Sequence, residues 1–208
     1  VKPSHSPTTI PINAPEAIAA ALEQLYAGQP VVFPTDTVYG IGVPAFKAAA
    51  VERLYEIKQR PRTQAIPVLL AEYEDLPMAA QTIPPLAADL ARRYWPGALT
   101  LVLPAALHLP AVLLACGESV AVRIPDHPWL RLLIRRLGQP LAATSANPHG
   151  EQPLATASEI AAQLGGQVGL VLDGGQARSN TPSTVVDCTG GEPQVLRAGG
   201  VRLTDHDY

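Results

Sequence analysis

Apolar residues along this chain recur at two different spacings, and the switches between them mark out alternating helices and strands. Ile18, Ala21, Leu22 and Leu25 repeat at helical spacing between Pro15, which suits a first helical turn, and Gly28, which suits a helix end; this predicts a helix over 15–26. Val31, Val32 and Phe33 make a short apolar run ended by Pro34, read as a buried strand. Val51, Leu54 and Tyr55 share a face of a second helix at 48–57, and 66–70 reads as the next strand. A third helix at 84–94 carries Leu86, Leu90 and Tyr94 and is stopped by Trp95-Pro96-Gly97.

Residues 99–103 and 120–124 read as strands, and Asp126-His127-Pro128 opens a helix bearing Trp129, Leu132, Leu133 and Leu137. A brief strand at 141–143 feeds a turn at Ser145. Thr156-Ala157-Ser158-Glu159 is a capping box, in which hydroxyl and carboxylate each satisfy a backbone N–H left unpaired at a helix start, so a helix runs from there through Leu164. Strands at 168–172, 184–188 and 194–197 follow. This order predicts an α/β protein: a twisted open mixed sheet with flanking helices, partly parallel at the start and more hairpin-like towards the end. Ligands of such sheets favour the crevice at the strand ends, so the polar turns after Phe33, Leu103, Ile124, Ala143 and Leu172 are candidates as a group.

Composition narrows the class. With 208 residues, 47% of them hydrophobic and 16% charged, the chain can bury one substantial core. We expect a lead segment at 1–14, one domain at 15–203 and a tail at 204–208. A net charge of −3 offers no general attraction to nucleic acid and leaves only a local basic cleft open. No apolar run approaches the roughly 20 residues that cross a bilayer, and the start lacks the layout of a secretory signal; a cytoplasmic protein without a membrane role is expected. Cys116 and Cys188 read as small hydrophobes, not a bridge or metal pair. His5, His108, His127, His149 and His206 have no zinc-ligand spacing, and no G-x-S-x-G elbow frames Ser145, which disfavours zinc and serine hydrolases.

Two split tetrapeptides carry the candidate chemistry, Lys58-Gln59-Arg60-Pro61 and Ser145-Ala146-Asn147-Pro148. Each sets two polar side chains two positions apart where an apolar segment gives way to a loop. Together they offer fixed cations and neutral hydrogen-bonding groups, which suits a phosphate-bearing anion. Taken singly, the first is a solvated helix end and the second a turn. The stretch from Pro34 to Gly42 packs hydroxyls, a carboxylate and two glycines into what reads as a loop; without Gly-Lys-Ser/Thr it is not a Walker A loop. Arg123 shares a strand face with Ser119 and Ala121 and needs an anionic partner, either a ligand or a neighbouring acid. Ser183 and Arg197 repeat the theme. Asp36, Asp173 and Asp187 are carboxylates that would meet Mg²⁺ through ATP or else form turns.

Pro34-Thr35-Asp36-Thr37-Val38-Tyr39-Gly40, Lys58-Gln59-Arg60-Pro61, Trp95-Pro96-Gly97 with Thr100, Val122-Arg123-Ile124-Pro125, Ser145-Ala146-Asn147, Ser183-Thr184-Val185-Val186-Asp187 and Leu196-Arg197-Ala198-Gly199 occur in one order over residues 30–200. This set resembles the YrdC-like threonylcarbamoyladenylate synthases in their short, single-domain form. The resemblance implies a YrdC-like fold with a positively charged concave ligand cavity. It also implies a nucleotidyltransferase that joins L-threonine, bicarbonate or CO₂, and ATP into threonylcarbamoyl-AMP and pyrophosphate, for threonylcarbamoyladenosine modification of tRNA.

By motif position the resemblance implies that Thr37, Arg123 and Ser183 hold L-threonine. Arg60, Gln64, Ser119, Ser145, Pro153 and Arg197 would line the ATP side, and Lys58, Arg60, Ser145 and Asn147 would form the catalytic set. It assigns no protein metal ligand, Mg²⁺ being expected with ATP. Its implied partners are a tRNA-modification transferase complex as downstream acceptor, with weak tRNA or double-stranded RNA binding left open. Gln64 departs from an Asn common in relatives, and Leu69 stands where His is frequent, so Leu69 is left out of the site. The rival reading is a YrdC-like RNA or tRNA binder without adenylate synthesis; the intact K-x-R and S-x-N motifs weigh against it.

Overall fold

The computed structural model describes residues 7–148, 150–179 and 181–204. Residues 1–6 of the lead, 205–208 of the tail, and His5, His149 and His206 lie outside the described residues. The strands are β1 (Thr8–Pro11), β2 (Val31–Phe33), β3 (Gly40–Pro44), β4 (Val68–Leu69), β5 (Leu99–Pro104), β6 (Ser119–Arg123), β7 (Leu141–Ser145), β8 (Leu170–Asp173), β9 (Thr184–Asp187) and β10 (Gln194–Arg197). They form a mixed sheet in the order β1-β8-β2-β3-β7-β4-β6-β5-β9-β10. The helices are α1 (Ala17–Tyr26), α2 (Ala48–Lys58), α3 (Pro85–Tyr94), α4 (Pro128–Leu137) and α5 (Ala157–Leu164).

Side chains alternate across the strands, and each face of the sheet buries a separate apolar cluster. On one face Ala17, Ala21 and Leu25 of α1 and Leu130, Leu133 and Leu137 of α4 pack on Val31, Phe33, Leu69, Leu141, Leu170 and Leu172. On the other, α2, α3 and α5 cover Val32, Ile41, Val43, Val68 and Val122. The first cover is partial. Ala121, Arg123, Leu69, Ala143 and Ser145 point to that same face by register, and the part left open by α1 and α4 is the floor of a cavity.

Most predicted elements occur within a few residues of their expected bounds, and the capping box of α5 forms as read, with Thr156 accepting from the Glu159 N–H and Glu159 reaching back. Five readings change. Residues 40–44 are strand β3, not loop; Gly40 pairs with Phe33 and Ser145, and a Cβ there would lie 2.7 Å from the Phe33 ring. The glycine therefore serves close strand approach. Part of the lead is strand β1, parallel to β8. The strand expected at 66–70 is only two residues long. Parallel pairs join segments distant in sequence, β1 with β8, β8 with β2, β4 with β6 and β5 with β9, whereas β2 and β3 already form a hairpin near the start. Cys188 is buried as expected, its thiol pushed up to about 11 by burial, but Cys116 is exposed. Among the described residues no helix is long and apolar enough to cross a membrane.

Candidate active site

The segment between β2 and β3 folds back over the open sheet face and meets Arg123 at the end of β6. Thr35 donates its hydroxyl hydrogen to Val38 O at 2.7 Å and accepts from the Thr37 N–H at 3.0 Å. Its single hydrogen being used, the 3.0 Å contact between the Thr35 and Thr37 hydroxyls has Thr37 as donor. Thr37 Oγ1 in turn accepts from Arg123 Nη1 at 3.0 Å. Arg123 Nη2 donates to Asp36 Oδ1 at 2.6 Å and Nε to Gly97 O at 2.9 Å. Arg123 thus has a neighbouring acid and also lines the cavity. Three of its five N–H groups are used in these bonds, leaving a donor pair of the kind a carboxylate takes.

A second cluster joins the end of α2 to the turn after β7. Lys58 is 2% exposed, and its Nζ donates to Ser145 O at 2.5 Å and to Asn147 O. Burial, with the Arg60 charge next in size, lowers its pKa to about 8. Lys58 does not line the cavity; it ties down the backbone that presents Ser145 and Asn147, both of which do. Gln59 takes a left-handed turn at φ 48° that swings Arg60 off the helix. Arg60 then donates through Nε to Gln64 O at 3.0 Å and through Nη2 to Ala65 O at 2.8 Å, while lining the cavity. Its partial burial lowers its pKa. Asn147 directs Nδ2 to Pro148 O at 2.9 Å and Glu151 O at 2.6 Å. Its Oδ1 is buried without a hydrogen-bond partner among the described residues.

At the far wall Ser183 Oγ shares a 2.7 Å hydrogen bond with Thr100 Oγ1. Arg197 on β10 donates to Ser183 O at 2.8 Å and Ser183 Oγ at 3.1 Å. Partial burial of its guanidinium, then the Arg123 charge, lower its pKa. The cavity these walls enclose measures about 510 Å³, within the range of roughly 300–1,000 Å³ usual for small-molecule sites. Three arginines, Arg60, Arg123 and Arg197, stand in its lining against one carboxylate, Glu151.

Of the residues expected in the site, Thr37, Arg60, Arg123, Ser145, Asn147, Pro153, Ser183 and Arg197 come together around this cavity. Three stand outside its lining. Lys58 lies beneath it; Gln64 is exposed and contributes its backbone carbonyl to Tyr55 and Arg60; Ser119 sits at the start of β6 opposite Pro104. Leu69, set aside on sequence, does line it, as do Thr35, Tyr39, Thr100 and Glu151. Tyr39, buried, accepts from the Gly174 N–H at 3.0 Å and donates to Gly175 O at 2.7 Å, bracing the loop after β8. Thr100 had a signal, since it stands with Trp95-Pro96-Gly97. Among the carboxylates first linked to a metal, Asp36 pairs with Arg123, and Asp173 and Asp187 accept from backbone N–H groups two residues on, as turn formers do.

The family model Sua5/YciO/YrdC, described as telomere recombination, matches residues 23–199. The chain belongs to this family. Among curated members it is 39% identical over 202 residues to a threonylcarbamoyl-AMP synthase of Pyrococcus abyssi, covering 95% of this chain and 59% of that protein. To the threonylcarbamoyl-AMP synthase of Bacillus subtilis it is 40% identical over 190 residues, covering 91% of this chain and 55% of that protein. The chain therefore spans under two thirds of the length of both relatives. The crystal structure of P. abyssi Sua5 complexed with L-threonine superposes with a TM-score of 0.88 at 38% identity, covering 93% of this chain and 57% of that one.

Proposed function

We propose that this family member is a threonylcarbamoyl-AMP synthase, joining L-threonine, bicarbonate or CO₂, and ATP with release of pyrophosphate. The observation that carries the reading is the arrangement of Arg60, Arg123 and Arg197 around one cavity with the hydroxyls of Thr37, Ser145 and Ser183. The relatives' names, and the L-threonine complex of a structural neighbour, support the same chemistry.

In this reading Arg123, with Thr37 and Ser183 beside it, takes the amino-acid carboxylate through a forked pair of hydrogen bonds. Arg60, Ser145, Asn147 and Pro153 border the nucleotide, with Arg197 closing the opposite wall; Gln64 supports Arg60 from outside the lining through its backbone carbonyl. The carbamate formed on the amine must approach an anionic α-phosphate, and fixed cations offset that repulsion without reorganising during the reaction. Lys58 acts through the turn it holds. Adenylyl transfer of this kind rests on positioning and charge, and no covalent protein nucleophile is needed. Mg²⁺ entering with ATP would supply positive charge at the phosphates, and the unpartnered Asn147 oxygen is of a type that hard cations accept. The product would then pass to a tRNA-modification transferase in the cytoplasm.

Incubation with ATP, Mg²⁺, bicarbonate and labelled L-threonine tests the reading. Pyrophosphate and a labelled adenylate are expected; RNA binding with neither product would replace it by the RNA-binding alternative.

A further inference from the structure

Asn147 and Glu151 both line the cavity from the turn that follows β7. Asn147 is 4% exposed, and because Nδ2 uses both hydrogens on the carbonyls of Pro148 and Glu151, the identity of its amide ends is fixed. Oδ1 is then a buried acceptor with no partner among the described residues. A phosphate oxygen cannot satisfy it, since both atoms carry lone pairs and no hydrogen. Glu151 poses the same problem in stronger form, being the sole carboxylate in the lining described here, among three arginines. Its Oε2 accepts one hydrogen bond, from Gln163 Nε2 at 3.1 Å on α5.

A neutral oxygen and an anionic one, on one turn at the nucleotide side of an otherwise cationic cavity, match a hard divalent cation. Mg²⁺ keeps several waters and needs only one or two protein oxygens when nucleotide phosphates supply the rest. Among the described residues no group of three or more His, Cys, Asp or Glu could hold a metal alone. Resting on the synthase reading, we infer that Asn147 Oδ1 and the Glu151 carboxylate face the divalent cation carried in by the nucleotide. Lys58, whose Nζ holds the Asn147 carbonyl, and the nearby Arg60 repel a free cation. The seat therefore fills only when phosphates arrive with the metal.

Mn²⁺ titrations followed by electron paramagnetic resonance on the full chain test this, with and without saturating α,β-methylene-ATP. Mn²⁺ alone should not bind; with the nucleotide it should, and Glu151→Gln and Asn147→Ala should each loosen it by about tenfold or more. Glu151→Gln keeps the backbone carbonyl that Asn147 uses, and because it removes a negative charge from beside the phosphates its affinity for metal-free nucleotide should not fall. Equal Mn²⁺ affinity in wild type and both variants overturns the inference. So does an equal loss of metal-free nucleotide binding in Glu151→Gln, which would mean that these oxygens face a ligand N–H or O–H. If wild type binds no nucleotide at all, the synthase reading itself fails, a result distinct from either.

Discussion

Asp36 and Arg123 form a 2.6 Å ion pair in which both side chains are almost withdrawn from solvent, at 11% and 9% exposure. The pair locks the guanidinium that the Thr37 hydroxyl also touches, so the path of the segment between β2 and β3 and the shape of the proposed carboxylate site are set by the same contacts. Removing one partner of a buried pair leaves an uncompensated charge, a loss of about 3–5 kcal/mol. Asp36→Ala should accordingly lower the melting temperature markedly and weaken L-threonine binding, with Asp36→Asn milder on both counts. Calorimetric titration and thermal melts check this; an Asp36→Ala protein as stable as wild type would contradict it.

Lys58 gives a stability signature in pH. Its folded pKa, about 8, lies below the ordinary 10.5. Between those values the unfolded chain holds more protons than the folded one, so stability rises with pH across that window, and the charged form below it costs on the order of 3 kcal/mol. Lys58→Met lacks this group, and the difference between the two proteins' denaturant midpoints should shift in favour of wild type as pH rises from about 8 to 10. A constant difference would contradict the burial. A neutral amine still has two N–H groups for the carbonyls of Ser145 and Asn147, so the tie itself survives deprotonation.

Gly199 stands against the start of β9, where a Cβ would lie 2.4 Å from Pro182 O and from the Ser183 carbonyl carbon. Neither backbone atom can move without displacing Ser183. Gly199→Ala should therefore cost about 1–3 kcal/mol of stability and reduce L-threonine affinity along with it. Parallel melts and titrations separate this from a surface effect, which would leave both untouched.

The sequence exposed those parts of the fold that local chemistry decides. The capping box of α5, the apolar stripes of α1 to α4 and the alternation around Arg123 all act within a few residues. Strand β3 was hidden because Gly40 and Gly42 disfavour strands in isolation; β3 forms because β2 and β7 flank it and Phe33 needs the room. β1 was hidden because its pairing partner, β8, lies far along the chain. In the site, the order of the motifs identified the cavity walls, but not depth. Nothing local distinguishes Lys58, buried beneath the turn, from Arg60, two residues on and lining the cavity. Thr35 and Glu151 likewise reach the lining through the path of their loops.

Arg60 and Ser145 are the most direct test of the nucleotide side. Arg60→Ala removes a cavity cation and two bonds to its own loop, and should reduce kcat/KM for ATP by about 10- to 100-fold, the range of a lost charged hydrogen bond. Ser145→Ala should lower it less, since Lys58 holds the backbone there and not the hydroxyl. Steady-state pyrophosphate release in folded variants is the readout; full activity in both would remove these residues from the site.

Following ¹⁴C from bicarbonate into an adenylate while counting pyrophosphate, with and without L-threonine, decides whether this cavity makes threonylcarbamoyl-AMP. A threonine-dependent labelled adenylate, formed in equal amount to pyrophosphate, is the expected result. ATP breakdown without label in an adenylate, or no turnover at all by folded protein, would contradict it.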